Sequence, residues 1–170
     1  SVHKKLKSKH KNLLTIIIPR HIHRTNEIIK EMKRLDLRIH VHSSKKEIDN
    51  RTDIYLVNSF GQTKSFFKIC KTVFLGGSII KHGGQNPLEA ARYGCQILHG
   101  PNIWNFKEVY SLLQIHKVSN KIINTKQLER NVNQMLNNKK NYKDLKLRIR
   151  KIGIKILNNT INELNFYINK

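Results

Sequence analysis

Apolar residues in this chain fall into short clusters whose spacing switches between two periods. Residues 1–11 are basic and predict the end of a helix whose start is missing. Leu13 to Ile18 is rich in β-branched residues without alternation, which predicts a strand buried on both faces. Ile28, Ile29, Met32 and Leu35 recur at the helical period and predict a helix from Thr25 to Leu35. Leu37 to Val41 and Asp53 to Val57 read as two further strands, separated by a polar, charged loop over Lys45 to Thr52. After a turn at Asn58 to Gly61, a helix is predicted over Gln62 to Lys71, with Phe66, Phe67 and Ile69 facing inward. The runs Thr72 to Leu75 and Gln96 to His99 read as buried strands. A helix over Phe106 to Ile115, an edge strand over Lys121 to Ile123 and a helix over Lys126 to Asn138 follow. Residues 142–170 form a C-terminal helix, regular from Tyr142 to Ile168, with Leu145, Ile149, Ile152, Ile156, Leu164 and Ile168 as its apolar stripe.

Strands alternating with helices at this spacing indicate βαβ units. The fold class is therefore α/β: a Rossmann-like parallel sheet with helices on both faces and right-handed crossovers. No repeat, low-complexity segment or long linker interrupts the pattern, so residues 1–170 are expected to form a single domain.

Charge changes the picture less than its size suggests. Lys and Arg total 33 against 11 acids, a formal charge of +22. That would attract nucleic acid, anionic lipid or a phosphorylated substrate. The lysines are scattered, however, not set in a stripe with aromatics between them, which argues against specific nucleic-acid binding. Cys70 and Cys95 lie in apolar surroundings with no CxxC pattern, as expected for reduced core thiols. No apolar run reaches the length of a membrane span, and no signal-peptide core follows the basic N-terminus. The pairs His21/His23 and His40/His42 lack acid or Cys partners at metal-binding spacing, so no metal is expected.

The candidate chemistry lies between the two central runs, in Gly76-Gly77-Ser78, Gly83-Gly84 and a helix start at Asn86. Asn86 suits an N-cap, Pro87 the first helical position, and Glu89 a capping box. A glycine-rich loop feeding a helix start offers unpaired N–H groups to an anion. The same pattern also serves as a well-capped helix with glycines that only turn the chain. Pro19-Arg20-His21 follows the first strand, and a planar guanidinium there suits a phosphate.

The stretch GGSIIKHGGQNPLEAARYGCQILHGPNIWNF resembles the donor-side signature of the 3-deoxy-D-manno-octulosonic acid (Kdo) transferases. The matching residues are Gly76, Gly77, Ser78, Gly83, Gly84, Asn86, Pro87, Leu88, Glu89, Ala90, Gly100, Pro101, Asn105 and Phe106. Gln85 replaces the usual His, and Ala91-Arg92 replaces a small pair. Pro19, Arg20 and Arg24 match the family's PRH-x-x-R element. Phe60-Gly61-Gln62 falls where the family has a Met-Gly-Glu-like turn, with only Gly61 matching in type. The resemblance covers about residues 13 to 138.

It implies the C-terminal half of a GT-B glycosyltransferase, an enzyme with two facing Rossmann-like domains. It further implies a CMP-binding surface of Pro19, Arg20, Phe60, Gly61, Gln62, Asn86, Pro87, Leu88 and Glu89. Arg20 and Glu89 are expected to converge on one cytidylate, with Glu89 either capping its helix or accepting from the ribose hydroxyls. The family's reaction moves Kdo from CMP-Kdo to the lipid A precursor in lipopolysaccharide synthesis, inverts the anomeric centre, and requires neither cofactor nor metal in the site. Its N-terminal domain carries the acceptor groove, a membrane anchor and the general base. None of these matches this chain, so no catalytic residue is assigned. The chain is expected to be a truncated polypeptide, inactive alone, whose partner is a separate N-terminal chain if one exists. Cytoplasmic location, at the inner-membrane face, follows from the same resemblance. The competing readings are a basic module binding nucleic acid or anionic membrane, and a gene fragment without function.

Overall fold

The computed structural model describes residues 1–43, 47–138 and 142–168. Lys45 and Lys46 of the expected polar loop, and residues 169–170 of the expected C-terminal helix, lie outside the described residues. The chain divides into two compact units, Ser1–Phe66 and Phe67–Lys170.

The first unit holds α1 (Val2–Lys9), β1 (Thr15–Ile17), α2 (Thr25–Arg34), β2 (Ile39–Val41) and β3 (Ile54–Leu56). Its sheet is parallel, in the order β1-β3-β2. Thr15 pairs with Ile54 and Ile17 with Leu56, while Ile39 and Val41 flank the same two residues from the other side. Burial follows this order: Ile54 and Leu56 on the central strand are buried, whereas β1 and β2 are only half-buried throughout. Double-sided burial of the first strand was the expectation. Its position at the edge of this sheet leaves it half-exposed instead.

The amino end of that sheet is tied by polar groups. His3, on α1, is buried, with Nδ1 2.8 Å from the Thr15 hydroxyl and Nε2 3.4 Å from Asp53. Asp53 also receives Lys7 Nζ and, at 2.9 Å, the backbone N–H of Arg38. One carboxylate thus links α1, β2 and β3, and deleting it would leave several donors short of a partner.

The second unit holds β4 (Thr72–Leu75), α4 (Leu88–Arg92), β5 (Gln96–His99), α5 (Lys107–Ile115), β6 (Ser119–Lys121), α6 (Thr125–Asn137) and α7 (Tyr142–Ile168). The division between the units falls inside α3 (Thr63–Ile69). The sheet is again parallel, in the order β4-β5-β6, with Thr72 opposite Gln96 and Ile97 opposite Ser119. All four residues of β5 are buried. Alternation sends Ile97 toward Ala90, Ala91, Tyr110 and Leu113, and Leu98 toward Ile122 and Met135.

Three helices stop the same way. Asp36, Gly94 and Lys117 adopt φ of 52°, 78° and 56°. The next residue's N–H then returns to a carbonyl five residues back: Leu37 to Met32, Cys95 to Ala90 and Val118 to Leu113, at 3.1, 3.1 and 2.8 Å. This closure satisfies the last carbonyls and turns the chain straight into β2, β5 or β6.

Several predicted features shift. The edge strand is Ser119–Lys121, not Lys121–Ile123, because Val118 leaves the α5 closure already extended. Ile69 was expected inward and is 65% exposed. In the fourth strand only Leu75 is buried, since β4 has a neighbour on one side within its sheet. Leu145 is buried and Ile149 half-buried, but Ile156, Leu164 and Ile168 are exposed: α7 packs on its unit only through its first turns.

Candidate functional site

In each unit the glycine and arginine loops leave the carboxyl ends of parallel strands, the edge at which open α/β sheets hold ligands. Arg20 lies three residues beyond β1 and is exposed, and Pro19 before it is half-buried. The second arginine of the element is engaged elsewhere: Arg24 forks onto Glu27 at 2.9 and 3.2 Å. Arg20 makes no ion pair among the described residues. His21 stacks on His23, with ring centres 5.4 Å apart.

Beyond β3, Phe60 is 78% exposed and Gly61 takes φ 78°. Gln62 is half-buried, and its carbonyl accepts from Ser65 N at 3.0 Å to start α3. Backbone geometry therefore carries this turn, consistent with side chains that differ from the family's. His40 stacks on Tyr55, and His42 Nδ1 lies 2.7 Å from the Tyr55 hydroxyl.

The loop beyond β4 is pinned at both ends, at Ser78–Ile79 and at Gly83–Gln85, while Ile80 to His82 are exposed. Ser78 is buried; its Oγ donates to Leu75 O at 2.7 Å and accepts from Gly100 N at 2.8 Å, joining the carboxyl ends of β4 and β5. Asn102 reaches back to the same loop, its N–H to Ser78 O at 2.8 Å and its Nδ2 to Ile79 O at 3.0 Å. Gly77 has φ 80°, and a Cβ there would stand 2.8 Å from Gly83 O, so the loop doubles back where only glycine fits. Asn105 Oδ1 accepts from Gly84 N at 2.9 Å while its Nδ2 donates to Gly84 O at 2.8 Å. The Tyr110 hydroxyl donates to Gln85 O at 2.8 Å, and burial raises its pKa well above the phenolic value.

The loop then enters α4. Asn86 Oδ1 accepts from Leu88 N at 3.0 Å, and Pro87 has helical φ −84° and ψ −13°. The N-cap is Pro87 rather than the expected Asn86, because the helix starts at Leu88; Asn86, one residue earlier, closes a turn onto Leu88 N instead. The helix is only five residues long. Its dipole is correspondingly small, so the polar character of this end comes from individual N–H groups. Asn86 and Leu88 are exposed, Glu89 is half-buried and Pro87 is buried beneath them.

Three groups gained significance only in three dimensions. His99, at the end of β5, is fully buried; its Nδ1 meets Gly100 O at 2.7 Å and its Nε2 has no hydrogen-bond partner among the described residues. Burial lowers its pKa, with Lys121 adding to the effect and the Gly100 bond opposing it. Asn105 and Ser78 were visible as matching residues, but nothing in their spacing revealed what they hold. Cys95 is buried, its thiol donating to Cys70 O at 3.2 Å, and burial pushes it up to about 12, so it is inert.

A shallow depression of about 440 Å³ opens at the other, amino end of the first sheet, lined by Lys7, Lys11, Arg38 and Arg51 with Asp36 and Asp53. It is open, part-neutralised and on the wrong edge of the strands for a ligand of this fold. Among the described residues no helix is long and apolar enough to cross a membrane.

No family model matches the chain. It is 31% identical to the 3-deoxy-D-manno-octulosonic acid transferase of Haemophilus influenzae over 138 residues, which are 81% of this chain and 32% of that protein. The enzyme of the same name from Rickettsia felis is 37% identical over 100 residues, 59% of this chain and 21% of that one. The Aquifex aeolicus enzyme of that name is 27% identical over 140 residues, 82% of this chain and 38% of that one. The chain thus matches only about a fifth to two-fifths of the length of these curated relatives. In structure it is similar to the C-terminal CMP-Kdo binding domain of WaaA from Acinetobacter baumannii, with a TM-score of 0.81, 22% identity, and coverage of 89% of this chain and 79% of that one. The fold is accordingly Rossmann-like α/β, and the resemblance to Kdo transferases read from the loop signature holds over most of the chain.

Proposed function

We propose that this chain is the CMP-Kdo-binding part of a Kdo transferase. The observation that carries the reading is the pinned loop from Gly76 to Glu89, at a strand's carboxyl end, in a chain related to Kdo transferases over 81% of its length. Arg20 is assigned to the donor phosphate, because an exposed guanidinium without an ion pair can offer two N–H groups to two oxygens. Pro19, Gly61 and the backbone around Phe60 and Gln62 are assigned to the nucleotide. Asn86, Pro87 and Leu88 shape the helix mouth, and Glu89 is assigned to the ribose hydroxyls, where a carboxylate accepts two hydrogen bonds.

Sugar transfer to the lipid A precursor needs a base to take the acceptor's proton. No residue here is assigned that role. We assign it, with the acceptor groove, to sequence corresponding to the unmatched part of the relatives. The lipid acceptor would place the assembled enzyme at the cytoplasmic face of the inner membrane.

Titration of the purified chain with CMP at moderate salt tests the reading. A saturable response, weakened about 30-fold or more in Arg20→Ala, is expected for loss of a charge-assisted pair of hydrogen bonds. Absence of a saturable response to CMP in the wild type, together with strongly salt-dependent oligonucleotide binding, would favour a basic nucleic-acid module instead. Kdo transfer by the chain alone would contradict the assignment of the base elsewhere.

A further inference from the structure

We infer that Asn105 is a positioning residue for the donor, acting through Gly84; the inference rests on the reading above. Asn105 belongs to the segment after β5, 21 residues beyond Gly84, in a short 3-10 turn over Trp104–Phe106. Its carboxamide makes both backbone hydrogen bonds of Gly84, Oδ1 from the N–H at 2.9 Å and Nδ2 to the carbonyl at 2.8 Å. Only a carboxamide of this length offers an acceptor and a donor side by side to one residue's N–H and C=O.

The surroundings leave the loop little freedom once that pair forms. Gly83 and Gly84 are both buried. A Cβ on Gly83 would come within 3.2 Å of Asn105 Oδ1, and one on Gly84 within 3.1 Å of Ile103 and 3.2 Å of the Tyr110 ring. Gly83 O in turn sits against Gly77. The amide therefore holds Gly84 down on the layer formed by Ile103 and Tyr110. That sets where Gln85 departs, and so where Asn86 and Glu89 stand. Asn105 itself is exposed and is not assigned a contact with donor.

A loop fixed before binding spares the ligand the cost of ordering it. If the loop without its clamp holds the binding shape only about one-tenth of the time, apparent affinity falls about tenfold with no contact to CMP removed. Asn105→Ala and Asn105→Asp are both expected to show this. The aspartate keeps an acceptor for Gly84 N–H but sets a carboxylate against Gly84 O, so the near-identical shape does not rescue. Asn105→Ser, with one short hydroxyl, is expected to recover little.

The test compares CMP titration with amide hydrogen exchange over residues 83–88 in these variants and in Asn124→Ala. The last removes the cap of α6, where Asn124 Oδ1 accepts from Gln127 N at 2.9 Å, and lowers stability without touching the loop. The expected result is about tenfold weaker CMP binding and faster exchange at 83–88 in Asn105→Ala and Asn105→Asp, and neither in Asn124→Ala. Wild-type binding with variants within twofold of it would overturn the inference and leave the donor reading intact. Equal weakening in Asn124→Ala would assign Asn105 a merely structural role and likewise overturn it. A wild type that does not bind CMP would instead bring down the donor reading and the inference with it. Should Asn105→Ala fail to fold, Asn105→Asp and Asn105→Ser decide by the same two measurements.

Discussion

The two sheets of this protein have the same strand number, direction and nearly the same strand lengths, yet they are not held alike. In the first, β1 and β2 are half-buried, and a carboxylate at the amino end gathers His3, Lys7 and Arg38 N–H. In the second, β5 is buried at every position and contributes to apolar clusters on both faces. Both sheets bury their central strand, Ile54 and Leu56 in the first and all of β5 in the second; the first adds polar ties at its amino end. The loops differ as well. Around Gly76 to Gln85 the chain is pinned by Ser78, Asn102, Asn105 and Tyr110, whereas Phe60 stands 78% exposed. Two of the residues holding that loop, Ser78 and Tyr110, are themselves buried and so locked by packing, while Asn102 is half-buried and Asn105 exposed.

The sharpest way to break the comparison is to cut equal volume from each sheet. Ile97→Ala, on the fully buried strand, is expected to cost about 3 kcal/mol, and Ile16→Ala, on a half-buried one, about 1 kcal/mol. Urea denaturation of both variants checks this; equal losses would mean that an edge strand of the first sheet is held as firmly as the central strand of the second.

Acid offers an intermediate probe. Burial lowers the pKa of His99 in the second unit, and burial likewise lowers that of His3, opposed by the Asp53 bond. A histidine with a lowered folded pKa binds fewer protons folded than unfolded. Stability is therefore full above about pH 6.5, the unfolded value, and declines as pH falls below it. The effect is expected to flatten in His99→Phe, which also removes the Nε2 atom left without a partner among the described residues. Thermal unfolding between pH 5 and 8 reads it; an unchanged slope in the variant would move the dependence to the first unit and His3.

The smallest effect belongs to α7. Leu164 is 55% exposed on a helix whose burial is confined to its first turns, so Leu164→Ala is expected to change stability by less than about 0.5 kcal/mol. A loss above about 1 kcal/mol in the same denaturation assay would mean that this face is covered in solution.

Much of this was legible in the residues. β4 and β5 run over the predicted residues because each is a short apolar run closed by a turn. The helices lie within one or two residues of their periodic patterns, and Asn86 turns the chain toward α4 through its own side chain, one residue before the Pro87 N-cap. These are local properties, set by backbone geometry and the spacing of apolar side chains. Burial was less legible. The β-branched run before Pro19 promised an interior strand, and its actual exposure depends on which strands flank it. Ile156, Leu164 and Ile168 continue the stripe of Leu145 without sharing its burial.

The candidate site divides along the same line. Glycines, a proline and a turn-forming asparagine announced the loop because each acts on its own stretch of backbone. Asn105 holding Gly84, Ser78 joining β4 to β5, and burial of His99 Nε2 with no partner among the described residues are contacts between residues about twenty or more apart, or consequences of packing. Periodicity carries no information about such distances. The sequence alone determined the elements and the chemistry of the loop, and the tertiary structure decided what keeps that loop in one shape, because a hydrogen bond across the fold exists only once packing has brought its two ends together.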